Sequence, residues 1–205
     1  MRSREPLVLV LLLAVVYAVS AWHPADVATW WMEVGPVFAV FAVVVVLEVR
    51  LGLTSLSLRL LTLEAIVVAV GAHYTYAHVP AGFWIADLFG FERNHYDRIA
   101  HFMQGVVPSI VLRELLLRTS PLVRGAWLFT IVSSMCLATS AIYEFIEWGA
   151  AILFAEGATE FLGTQGDPWD TQWDMFLALL GSITAQLALR RLHDRQLRAL
   201  AQRPA

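Results

Sequence analysis

Residues 31–49 read WMEVGPVFAVFAVVVVLEV, nineteen positions with two acids and no basic residue. A helix that crosses the hydrocarbon core of a bilayer needs about 20 mostly apolar residues, with about 17 at the lower end. This stretch meets that length, and it lacks the period-2 alternation of a membrane barrel strand. Working outward, five more segments read the same way, at 6–22, 58–77, 99–117, 126–154 and 173–189. The sequence therefore predicts an all-α polytopic integral membrane protein, a bundle of about six transmembrane helices in one domain, followed by a basic tail over 190–205 that continues helically. The gaps between segments, 154–173 among them, read as loops.

Composition agrees. The chain has 205 residues, 59% hydrophobic and 15% charged, with a mean hydropathy of +0.65. Soluble domains carry roughly 25% charged and 45–50% apolar residues. One aqueous core in a chain this short cannot bury the surplus. A soluble enzyme, a disordered chain and a nucleic-acid binder are excluded. The expected partner is the lipid bilayer. A formal charge of −3 is too small to call for a polyionic partner. All fourteen basic residues are arginine, so no Schiff-base lysine is available. Cys136 is the single cysteine, which excludes an intrachain disulfide and a cysteine-built metal site. No HExxH, GxSxG or P-loop pattern occurs.

Orientation follows from the arginines. Arg2, Arg4, Arg50, Arg59, Arg113, Arg118, Arg124, Arg190, Arg191, Arg195, Arg198 and Arg203 fall at one end of the expected bundle. Arg93 and Arg98 fall at the other, with Asp26, Glu33, Asp87, Glu92, Asp97, Glu156, Glu160, Asp167 and Asp170. The arginine-rich end is expected in the cytoplasm, with both termini inside and the acidic loops outside. Trp22, Trp30, Trp31, Trp84, Trp148, Trp169 and Trp173 sit near the outer boundary, as an aromatic belt does. A competing reading of the start is a signal peptide, with Arg2 and Arg4 before Leu7–Val19 and a small-residue stretch Val19-Ser20-Ala21.

Ionisable side chains inside spans are costly and face a bundle interior or a water-filled cavity. Asp97 and His101 are i,i+4 at the outer start of the fourth span, and Gln104 extends their face inward. Glu144 and Glu147 are i,i+3 near the outer end of the fifth. Asp167, Asp170 and Asp174 share a face at the start of the sixth. Imidazole with carboxylates suits a divalent cation, Zn, Mn or Fe, while an oxygen-only subset suits Mg. Asp97, His101, Glu144, Asp170 and Asp174 are the expected ligands. Glu144 and Glu147 are the expected acid/base groups. His95, His78, Asp167 and Gln104 are second-rank candidates. Such a cation polarises a phosphoryl or carbonyl oxygen or activates water. The expected function is a metal-dependent enzyme acting on an envelope lipid or lipid-linked substrate. Two alternatives stand beside it: a small transporter or ion-binding permease, and a structural protein whose acids cap and stabilise helix ends. In the structural reading Asp97 and Asp170 serve as first-turn acids, and Thr171 with Asp174 forms a capping box. A glycine-containing loop over 156–172 is expected to cover the cluster. Glu64, deep in the third span, is expected to pair with Arg59 or Arg113.

The segments Glu92–Phe102, Tyr143–Trp148 and Gly163–Met175 resemble those of the YjdF-type bacterial inner membrane proteins. The resemblance covers nearly the whole chain and implies an integral membrane protein of the cytoplasmic membrane. Asp97-Arg98-Ile99-Ala100-His101-Phe102 is also similar, more weakly, to a segment of the VanZ-like proteins, with Arg98 where those carry lysine. That similarity hints at envelope or lipid-linked substrates.

Overall fold

The computed structural model describes residues 4–154 and 164–202, and all regular structure among them is helical. The helices are α1 (Glu5–Ser20), α2 (Val27–Leu51), α3 (Ser55–Tyr74), α4 (Pro80–Phe89), α5 (Tyr96–Thr119), α6 (Ala126–Phe154) and α7 (Asp170–Ala201), with a 3-10 turn at Tyr76–His78. Arg2, Arg203, Glu156, Glu160 and the Gly157–Gly163 part of the expected covering loop lie outside the described residues.

Five helices, α2, α3, α5, α6 and α7, are long and apolar enough to cross a membrane. The first expected span is a helix too, but of 16 residues. At 1.5 Å per residue that is about 24 Å, less than the roughly 30 Å hydrocarbon core. The stretch before α5, read from sequence as loop, contains the ten-residue α4. It starts at Pro80, where a missing N–H costs nothing, and stops at Gly90 in the left-handed conformation (φ +71°). Its Phe83, Trp84, Leu88 and Phe89 are exposed, the character of a helix lying at a membrane surface.

Helix starts are set by caps. Asp26 accepts a hydrogen bond from Thr29 N at 2.6 Å, so α2 begins at Val27, four residues before the apolar run suggests. The Thr29 backbone bond holds the Asp26 carboxyl below its ordinary range. Thr54 caps α3 by accepting from Ser57 N. Toward the other end of α3, Ser20 Oγ donates to Ala69 O and accepts from Trp30 Nε1, tying α1, α2 and α3 together.

The densest packing is between α5 and α7, and small residues permit it. A Cβ on Gly105 would run into the Ala178 carbonyl, and one on Gly181 into the Phe102 carbonyl. Close backbone approach through small residues is the usual way membrane helices associate. On α6 Leu128, Val132, Cys136, Ser140, Glu144 and Glu147 are buried in a stripe at steps of three and four, with Ser133 buried beside it. The two glutamates therefore continue the inward face of α6, while Phe145, Ile146 and Trp148 point out. In α2 the buried residues are Thr29, Trp30, Glu33 and Val34, all in its first eight positions. Beyond Pro36 that helix stands away from its neighbours.

The arginine-rich end holds a polar network that sequence reading did not anticipate. Glu114, fully buried on α5, accepts from Thr54 N, Thr54 Oγ1, Ser57 Oγ and Arg118 Nη1, and His193 Nε2 lies 3.3 Å away. Arg113 meets Asp194 at 2.7 Å and His193 Nδ1 at 3.0 Å. The helical continuation of α7 past 190 thus packs into the bundle through His193 and Leu197. The expected partners of Glu64 are occupied elsewhere: Arg59 meets Glu5 at 2.6 Å and Arg113 meets Asp194.

Candidate metal centre

The parallel contact of α5 and α7 brings the first turns of both helices side by side. His101 Nε2 lies 3.6 Å from Asp97 Oδ1 and 4.0 Å from Asp174 Oδ2. One donor atom from each of these three residues falls within 4.8 Å of the others, and all three side chains are buried. Ligands bound at about 2.0–2.2 Å stand at most roughly 4.4 Å apart, so small rotations close the set around one ion. Gln104 Oε1 takes the other face of the imidazole, 3.0 Å from Nδ1. With Nδ1–H donating there, Nε2 carries the lone pair toward the carboxylates, the second-shell arrangement that orients a ligating histidine.

Glu144 enters from α6. Its Oε1 and the Oδ1 of Asp174 are buried without a hydrogen-bond partner among the described residues. An orphaned buried oxygen costs about 1–3 kcal/mol, more if charged. Glu147, one turn further on, is buried and lines the same cavity as Asp97 and His101.

Asp170 and Asp167 have a different setting. Arg93 Nη2 lies 2.9 Å from Asp170 Oδ1, and Arg93 Nη1 lies 3.2 Å from Asp167 Oδ2, which Arg98 also meets at 2.6 Å. These pairs anchor the start of α7 rather than face the imidazole. Arg98 also stacks 5.3 Å over the Trp173 ring. His95 packs edge-on against Phe91 with its Nδ1 unpartnered. Burial, and then the charges of Arg98 and Arg93, hold its imidazole below the ordinary pKa. His78 is engaged with Thr75 Oγ1 at 2.8 Å. Asp97 and Asp170 are first-turn acids of α5 and α7, as the structural reading expects. The N-cap positions are His95 and Trp169, neither with a side-chain cap bond, so Thr171 and Asp174 form no capping box.

One acid was missed. Glu33 on α2 is buried, its Oε2 accepts from Tyr143 Oη at 2.9 Å, and Tyr76 also hydrogen-bonds it. Tyr143 in turn meets the His101 ring edge-on, 6.3 Å between centroids. Read as a boundary residue of a helix starting at Trp31, Glu33 looked solvated. The Asp26-x-x-Thr29 cap was the available signal: it starts the helix earlier and puts Glu33 two turns inside.

A family model described as Predicted membrane protein (DUF2238) matches residues 5–195. The inner membrane protein YjdF of Escherichia coli (strain K12) is 46% identical over 203 residues, which cover 96% of each chain. No solved structure matches.

Proposed function

The chain belongs to the DUF2238 family of predicted membrane proteins and is an integral inner membrane protein; we propose that it carries a divalent-cation centre at its outer face, built on Asp97, His101 and Asp174. The observation that carries this is the buried triad with two neighbouring orphaned oxygens, Asp174 Oδ1 and Glu144 Oε1. Glu33, Asp97, Glu144, Glu147 and Asp174 are buried around one imidazole, and Arg93 is spent on Asp167 and Asp170. Unpaired buried charge is expensive, and a cation offsets it. One imidazole with carboxylates fits Zn, Mn or Fe ahead of Mg. Glu144 is the fourth ligand or the general base, and Glu147 stands behind it. A cation there supplies Lewis acidity for attack on a phosphoryl or carbonyl group. The site opens within the bilayer's outer margin, so the substrate we favour is an envelope lipid or lipid-linked molecule.

A permease needs a polar path past the midplane. Below Gln104 the same face of α5 continues as Pro108, Val111 and Leu112, and the space they line holds a single acid at mid-height, Glu64, among the described residues, which weighs against a polar transport path. Metal analysis of gently purified full-length protein tests the proposal. Wild type is expected to carry stoichiometric metal, His101→Ala to lose it, and Glu144→Ala to hold it at least about tenfold more weakly. A metal-free wild type, or equal metal in all three, overturns the centre.

A further inference from the structure

The cavity that reaches Asp97 and His101 does not end there. It continues along the inner two-thirds of α2, where that helix stands off from α1, α3 and α5, to Glu48 near the arginine-rich end. Its volume is about 920 Å³, toward the top of the ~300–1,000 Å³ range of ligand pockets. From Glu33 to Glu48 the wall formed by α2 is about 22 Å long at 1.5 Å per residue. The lining between these acids is almost wholly apolar, with Val40, Val44, Ala65, Val68 and Leu112 among its side chains. Thr62 and Thr139 satisfy their hydroxyls on their own helices, donating to Leu58 O and Met135 O. Glu64 is the one acid at mid-height. At the far end Glu48 Oε2 accepts from Leu53 N at 2.7 Å, which gives the crevice a polar floor.

We infer that this crevice seats one acyl tail of an outer-leaflet phospholipid whose head group reaches the His101 centre. Three features select that occupant. The crevice lies at the depth of the hydrocarbon core, where water is excluded and only a chain of matching polarity fills it. Its polar mouth and apolar shaft are continuous, so one amphiphile satisfies both. Its wall of about 22 Å takes one tail drawn out beyond the roughly 15 Å of half a bilayer core, and a long polyprenyl chain would overrun the Glu48 floor. The head-group half of the inference rests on the cation centre proposed above, because an array of carboxylates repels a lipid phosphate unless a cation lies between them.

The test uses full-length protein washed in mild detergent, with bound lipid and metal quantified on the same sample. Val44→Trp and Val68→Trp fill the crevice from opposite walls. Val46→Trp is a control on the lipid-facing side of α2, 49% exposed and off the lining. Wild type and the control are expected to retain one phospholipid per chain, and both filling variants to retain about tenfold less with their metal unchanged. Lipid retention that does not differ between the filling variants and the control overturns the tail seat, whatever the metal. Recovery of a polyprenyl phosphate in place of phospholipid also overturns it. Lipid loss on filling in samples that never hold metal supports the tail seat while overturning the cation centre.

Discussion

Tyr143 does for Glu33 what no arginine is placed to do. Its hydroxyl donates to a carboxylate buried two turns inside an apolar helix. The same ring presses on His101, so Glu33 is linked to the metal centre without belonging to the triad. Removing only that hydroxyl, in Tyr143→Phe, leaves the ring and takes away the donor. Thermal unfolding in detergent should show a loss of about 1–3 kcal/mol, and a double change with Glu33→Gln should recover part of it, since an amide supplies its own donor. Full additivity of the two changes would mean that the pair does not interact. Glu33 also shows why residues of a site escape a reading by composition. An acid near a span boundary looks solvated, and its depth follows only after the cap that starts the helix has been placed.

Among the elements, α5 and α7 decide the geometry of the centre, because Asp97, His101 and Asp174 are close only when those two backbones are. Gly181 sits at the crossing, under the Phe102 carbonyl. Gly181→Leu must push the helices apart and should destabilise by about 1–3 kcal/mol through overpacking, with loss of bound metal although no ligand has changed. Gly35→Ala is the matched control, since nothing lies within 4 Å of a Cβ there; it should keep its metal and its melting temperature. Equal effects of the two changes would remove close packing as the cause. The existence of the long helices was legible, because apolar runs near 20 residues leave little else to be. The inward face of α6 was legible too: Glu144 and Glu147 at i,i+3 continue a stripe that starts at Leu128. What escaped were features with weak or short signals. The ten residues of α4 give fewer than three turns, and α1 proved one residue shorter than the lower limit for a span. The network around Glu114 was hidden because Arg113 looked like a loop residue that marks topology. It is a buried partner of Asp194 and His193, which come from the basic tail beyond the sixth expected span. Glu114→Ala would strand Thr54 N, Ser57 and His193 at once. A loss of about 3–5 kcal/mol is expected, read as a fall in melting temperature with metal content per folded chain unchanged, because the network lies at the opposite end of the bundle from the triad.

For the whole molecule, the two ends differ in chemistry, and the proposed function depends on which side of the membrane each one faces. Ten of the described arginines belong to one end of the bundle: Arg4, Arg50, Arg59, Arg113, Arg118, Arg124, Arg190, Arg191, Arg195 and Arg198. Arg93 and Arg98 lie at the other, both in ion pairs with Asp167. Positive loops stay in the cytoplasm, and that bias acts while the chain inserts, before the ion pairs of the folded bundle form. A reporter that works only in the periplasm should therefore be inactive when fused after α7 and active when fused between α6 and α7. A reporter that works only in the cytoplasm should give the reverse. If both fusions reported the opposite orientation, the triad would draw its cation from the cytoplasm and meet lipid of the inner leaflet. The packing of α5 on α7 would stand, but a role for the centre in envelope chemistry would have to be abandoned.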